Sequence, residues 1–315
     1  MAHSTGTMGR GVGSFFCRRR AVVREERAVG LRHGLGLFGL WAVAGAFAVV
    51  VGAGCPKPAD HHTTAGPRGS GHHLAPVHLP DLVDDLISFA QQHSKDLDDV
   101  DALRQAVAAY QKALGKAAGR IDILKPAVRI ACRVAELSRN GSDVGTYTRL
   151  TIKWAIEGRS KQPKAVEFVY RQAMALGIQA EAEAAKALAK VKLVEKLAHA
   201  AAALDSKYDH GGPLRLLGAL YIHAPEVGSV GDPDKGVTIM QRAVGFFPGF
   251  GPNHFFLGEG YFKQEEYDKA KIEFGKARDA ASGDGYTPRD AQWYRKKAKG
   301  YLRKIRRKQP DGTDI

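Results

Sequence analysis

Three helix-packing residues recur at a fixed interval, and that recurrence constrains the architecture more than any other feature of the chain. Ala270, Phe274 and Ala277 are each preceded, 34 residues earlier, by Gly236, Met240 and Ala243. Steps of four and three put each set on one face of a helix. A period of this length is too short for an independent domain. It fits a helix–turn–helix unit that buries its apolar face only by stacking on its neighbours. The helices before these carry a second set, Leu257, Gly258 and Tyr261, which matches Leu217, Gly218 and Tyr221 at an interval of 40 residues. The second helices keep the period while the first are displaced by six. The extra residues therefore fall between Tyr221 and Gly236, in IHAPEVGSVGDPDK, and predict an enlarged turn inside one repeat, on one edge of a solenoid.

Helical periodicity extends upstream to Pro80, with few strand signals. Leu82, Leu86, Ile87 and Ala90 share one face, as do Ala106, Tyr110 and Ala113. The stretch from Gln179 to Asp205 is rich in Ala, Lys, Leu and Glu, all strong helix formers. The expected fold is all-α, a short solenoid of helical hairpins over residues 80–308, with the clearest repeats at 211–282. The period of about 34 residues is that of the tetratricopeptide repeat (TPR). Pro248 stands where such a repeat ends in proline, whereas His254 replaces the usual Trp and Ser282 a second terminal Pro.

The N-terminal segment has another character. Arg18, Arg19, Arg20, Arg24, Arg27 and Arg32 precede an uncharged run from Gly34 to Gly54. Basic residues before an apolar run ending in small residues form an export signal. Gly52-Ala53-Gly54 before Cys55 resembles the lipobox of bacterial lipoproteins, with Gly52 in place of the usual Leu, so residues 1–55 are expected to be a signal with Cys55 as the lipidation site. A single transmembrane anchor is the alternative. Residues 56–79, rich in His, Pro and Gly, are expected to form a flexible tether, and residues 309–315 a disordered tail. The expected location is the cell envelope, lipid-anchored and facing the periplasm.

YDHGGPLRLLGALYIHAP and GSVGDPDKGVTIMQRAVGFFPGFGPNHFFLGEGYF resemble the T-component family of TRAP transporters, TPR-containing bacterial lipoproteins. The matching elements are Gly211, Gly212 and Pro213, then Leu217 and Gly218, Gly231 and Asp232, and Ala243. The close part of the resemblance runs from about Tyr208 to Ala277. It implies a non-enzymatic periplasmic adaptor that engages a solute-binding protein, or a hydrophobic ligand, through its helical scaffold. The repeats by themselves equally allow a general scaffold for envelope protein complexes.

Candidate chemistry is sparse. Cys132, in VRIACRVAEL, reads as a small core residue. Asp209, His210, His223, Asp232 and Asp234 have no metal-ligand spacing. Neither GxSxG, HExxH nor a GxxxxGK phosphate loop occurs, so catalytic, cofactor and metal sites are not expected. Gly211 and Gly212 predict a turn, with Pro213 in the first turn of the next helix and Asp209 capping it. Phe246, Phe247, Phe250, Phe255 and Phe256 surround an inter-repeat joint and form the candidate apolar surface for a ligand or partner segment. The net charge of +14 is concentrated in RDAQWYRKKAKGYLRKIRRKQ, read as a terminal helix capping the solenoid or as a contact with a membrane or acidic partner. An exported chain argues against nucleic acid as the partner.

Overall fold

The computed structural model describes residues 78–309 apart from 139–140, 183–186 and 284, and leaves the side chains of 141–142 undescribed. The predicted signal, Cys55, nearly all of the tether and the tail from 310 lie outside the described residues. Among the described residues eleven α-helices follow in order: α1 (Val83–His93), α2 (Val100–Lys116), α3 (Ile121–Leu137), α4 (Gly141–Lys161), α5 (Val166–Ala182), α6 (Ala187–Leu204), α7 (Tyr208–His223), α8 (Pro233–Phe246), α9 (Gly251–Lys263), α10 (Tyr267–Asp279) and α11 (Pro288–Lys308). Among the described residues no helix is long and apolar enough to cross a membrane.

Local chemistry sets the helix starts. Asp99 caps α2 by accepting from the Asp101 and Ala102 amides. Asp232 caps α8 and Thr287 caps α11, each followed by proline in the first turn, where a missing N–H costs nothing. The helices pair as hairpins α1–α2, α3–α4, α5–α6, α7–α8 and α9–α10. The first helices of neighbouring hairpins also touch, α3 to α5, α5 to α7, and α7 to α9, and α11 closes the series on α9 and α10. The result is a two-layer α-solenoid.

The repeat residues mark the crossings. A Cβ on Gly218 would lie 2.5 Å from the Met240 side chain, and one on Gly236 3.0 Å from the Gly218 carbonyl oxygen. A Cβ on Gly258 would lie 2.9 Å from Phe274. Ala243, Ala270 and Ala277 are buried with them. The same device operates between α4 and α5, where a Cβ on Gly158 would lie 2.3 Å from the Phe168 ring. The enlarged turn occupies the stretch between His223 and Pro233. There Gly231 donates to Pro225 O, Asp232 donates to Tyr221 O, and a Cβ on Gly231 would fall 2.2 Å from the Ala224 carbonyl.

Candidate functional site

The joint before the fourth hairpin is the most strained segment described. Asp209 (φ 50°, ψ 48°), His210 (φ 53°, ψ 45°) and Gly211 (φ 78°, ψ 23°) form three consecutive left-handed residues. Only glycine adopts this region freely, and each L residue there costs about 1–2 kcal/mol. Packing and hydrogen bonds hold the turn. Arg215 donates to His210 O at 3.2 Å and to Asp209 O at 3.3 Å. Asn253, wholly buried, donates to His210 O at 3.0 Å and accepts from Arg215 at 3.1 Å. The Asp209 carboxylate lies 3.7 Å from the guanidinium groups of both Arg171 and Arg215. Burial pushes its pKa up, and the two arginines outweigh burial, so it titrates below the ordinary aspartate range. Asp209 is therefore not the predicted helix cap. Its carboxylate is drawn inward by two arginines, and the regular part of α7 begins after Gly211.

The clamp aims His210 the other way. Its ring stacks on Phe250, with centroids 4.6 Å apart and planes 5° from parallel, and meets Phe247 edge-on at 5.4 Å. These rings, with Phe246, Pro248, Ala281 and Tyr286, line an open cleft of about 360 Å³ between the α8–α9 joint and the loop that follows α10. Phe246 is 40% exposed. Lys207 sits 5.1 Å over its ring and Arg215 sits 5.1 Å over Phe250, so cations border an aromatic wall. The Tyr286 hydroxyl is buried and lacks a hydrogen-bond partner among the described residues. Burial pushes its pKa up to about 12, which keeps the phenol neutral and able to donate.

Behind the cleft the solenoid closes on itself. Thr287 donates to Asp98 at 2.7 Å, and the Arg289 amide donates to the same carboxylate at 3.1 Å. Arg133, from α3, joins both ends. It bonds Leu97 O at 3.0 Å and pairs with Asp98 at 2.9 Å, Glu136 at 3.3 Å and Asp290 at 3.1 Å. Neighbouring Cys132 is wholly buried, and burial pushes its thiol pKa up, which makes the thiol a poor nucleophile.

The five predicted phenylalanines divide into two groups. Phe246, Phe247 and Phe250 line the cleft. Phe255 and Phe256 do not, being 2% and 4% exposed. Phe255 packs edge-on against Phe274, Trp293, Tyr294 and Tyr301, and Phe256 against Tyr294 and His223. α9 is covered on most sides, so residues that follow the joint turn into the core. The acidic and histidine candidates are dispersed. Asp232 caps α8, Asp234 accepts from Gln264, and His223 bonds Glu259. His254, at the usual Trp position, bonds Glu273 at 2.5 Å and Pro248 O at 2.7 Å. Sequence reasoning misses Arg133, Arg171, Asn253 and Tyr286. For Arg171 a signal exists, since it is the single cation in the apolar run from Val166 to Ile178.

No family model matches the chain, and no curated protein matches it. Among solved structures, it is similar to TTC0263, a thermophilic TPR protein in Thermus thermophilus, with a TM-score of 0.51 at 13% identity, over 70% of this chain and 99% of that one. It also aligns with the MamA protein (TM-score 0.42, 17% identity, 63% of this chain and 91% of the other). YrrB, described as a TPR protein with an unusual peptide-binding site, aligns with a TM-score of 0.41 at 16% identity over 70% of this chain and 93% of its own. The serial hairpins, the packing residues at their crossings and the first of these likenesses together give the chain the fold of a TPR-like helical solenoid.

Proposed function

We propose that this protein is a non-enzymatic, lipid-anchored TPR adaptor facing the periplasm, and that the aromatic cleft under the left-handed turn receives an apolar segment of its partner or a hydrophobic ligand. The observation that carries this reading is the aim of the strained turn. Two non-glycine residues held at φ 50° and 53° present His210 to Phe247 and Phe250 on one wall of an open cleft. Strain held by a buried clamp beside an open cleft is a mark of a functional segment. The resemblance to TRAP T-components supports a solute-binding protein as the partner, and Cys55 as the anchor.

Two measurements test this reading. The mass of the mature N-terminus reports acylation of Cys55. Affinity capture from solubilised membranes, with the wild type and a Phe246→Ser/Phe250→Ser variant, reports the cleft. A solute-binding protein retained by the wild type and lost by the variant is the expected result. A different envelope protein lost in the same way favours the general scaffold, and equal retention by both chains refutes the cleft assignment.

A further inference from the structure

α11 carries a second surface, unrelated to the cleft. Ten of its residues are Lys or Arg, and Asp290 is its single acidic residue. Asp290 is already paired with Arg133. The apolar side of the helix faces the solenoid, with Trp293, Tyr294, Tyr301 and Leu302 partly buried against its core. Ala291, Ala298 and Ile305 are buried, and Tyr301 stacks on Phe274 with centroids 4.5 Å apart. Its aromatic residues thus cap the last hairpin and are not presented outward. Lys296, Lys299, Arg303 and Arg307 are exposed and recur at three- and four-residue steps, with Lys304 and Arg306 exposed beside them. At 1.5 Å per residue this line of charge is about 17 Å long. Three carboxylates on or next to neighbouring α10 pair with cations of that helix: Glu266 with Lys269, Glu273 with Lys276 and Asp279 with Arg278.

We propose that this basic arc of α11 docks the solenoid on an anionic lipid bilayer. A protein interface needs a desolvated core of aromatic or apolar anchors and is depleted in lysine, whereas this arc offers flexible cations alone. A sheet of lipid phosphates requires charge and no shape match. The arc is therefore an electrostatic contact without insertion. The proposal rests on the anchored reading only for nearness to a bilayer. The 22 residues between Cys55 and His78 reach at most about 80 Å, enough for any face of the domain to meet the membrane.

The test is a lipid titration of the full chain against vesicles of phosphatidylcholine and of phosphatidylcholine with roughly 30% phosphatidylglycerol. Binding to neutral lipid reads the apolar N-terminal run, the anionic-to-neutral ratio of partition coefficients reads the cations of the chain, and its loss in the variant below reads α11. Each cation near an anionic surface is worth a factor of about five, so the ratio is expected at about 10²–10³ in ~50 mM salt. It should fall at least tenfold in ~0.5 M salt. K296Q/K299Q/R303Q/R307Q should reduce it at least 50-fold, by roughly the same arithmetic, with an unchanged melting temperature. A wild-type ratio near one, or an unchanged ratio in the variant, overturns the proposal. A ratio near one with salt-sensitive capture on an acidic peptide also overturns it and assigns the arc to a protein. A high ratio that is lost in the variant, with weak neutral binding, upholds the arc while the anchor fails.

Discussion

Replacing Arg133 with alanine removes the side chain that joins the first hairpin to the last helix. Arg133 is only 13% exposed, and its partners Asp98, Glu136 and Asp290 are 22%, 16% and 26% exposed at their side chains. Taking one partner from a buried ion pair costs about 3–5 kcal/mol, because the remaining charges stay desolvated. Partial solvent access to the carboxylates puts this site at the lower end, about 3 kcal/mol. For a domain of this size that is a fall in melting temperature of roughly 6–12 °C. The cost should depend on pH. Burial raises the Glu136 pKa, and Arg133 and Arg171 oppose the rise. Without Arg133 the carboxyl rises further. A raised acid favours the fold below its unfolded value, near 4.3, and that advantage is lost as pH rises through the folded value. The penalty of Arg133→Ala is therefore larger at about pH 7.5 than at about pH 5. Thermal melts at both pH values, with a double-mutant cycle of Arg133→Ala and Asp290→Ala, supply the test. Hydrogen exchange should accelerate at the Arg289 amide, which loses support for its bond to Asp98. A fall below about 2 °C at the higher pH, or a coupling below about 0.5 kcal/mol, would refute the claim that this cluster closes the solenoid.

Two further predictions concern the repeats. Gly236→Ala should cost about 1–3 kcal/mol in denaturant titration, more than Gly218→Ala. The new Cβ at 236 meets the Ile222 side chain at 2.7 Å and backbone atoms of Gly218 and Ile222 at 3.0 and 3.1 Å, whereas that at 218 meets the movable Met240 side chain at 2.5 Å and its nearest backbone atom, the Gly236 carbonyl oxygen, only at 3.3 Å. Burial raises the Glu273 pKa, and hydrogen bonds from His254 and Lys276 more than offset it, so the group titrates below its ordinary value. Its contribution is present above the unfolded glutamate pKa of about 4.3 and is lost as pH falls through the folded value. Glu273→Gln should lower stability at neutral pH and flatten the acid limb below about pH 4.3, and a parallel acid limb would count against the pairing.

The layering of the solenoid was legible in the chain because helix crossings demand small residues opposite large ones, and Gly218, Gly236, Gly258 and Phe274 record that demand at helical spacing. The enlarged turn was legible for the same reason, as a change of interval between two such sets. Contacts that join distant repeats leave no periodic trace. Asp98 and Thr287 meet across 189 positions, and neither is unusual in its own neighbourhood. The site was half legible. Asp209-His210-Gly211-Gly212 announces a turn, but its left-handed course depends on Arg215 and Asn253, which lie on other turns of the chain. The phenylalanines read as one cluster because they are adjacent in sequence. The start of α9 at Gly251 separates them, sending Phe255 and Phe256 inward and leaving Phe246, Phe247 and Phe250 at the cleft.

The central claim is that the solenoid receives its partner at this cleft. Site-specific photo-crosslinking in intact cells tests it most directly, with the reactive side chain replacing Phe250 and, as a control, exposed Ile272 on α10. The account predicts a discrete adduct from position 250, identified by mass spectrometry as a solute-binding protein, and none from position 272. Adducts of equal yield from both positions, or none from 250 while the protein is folded and anchored, would contradict it.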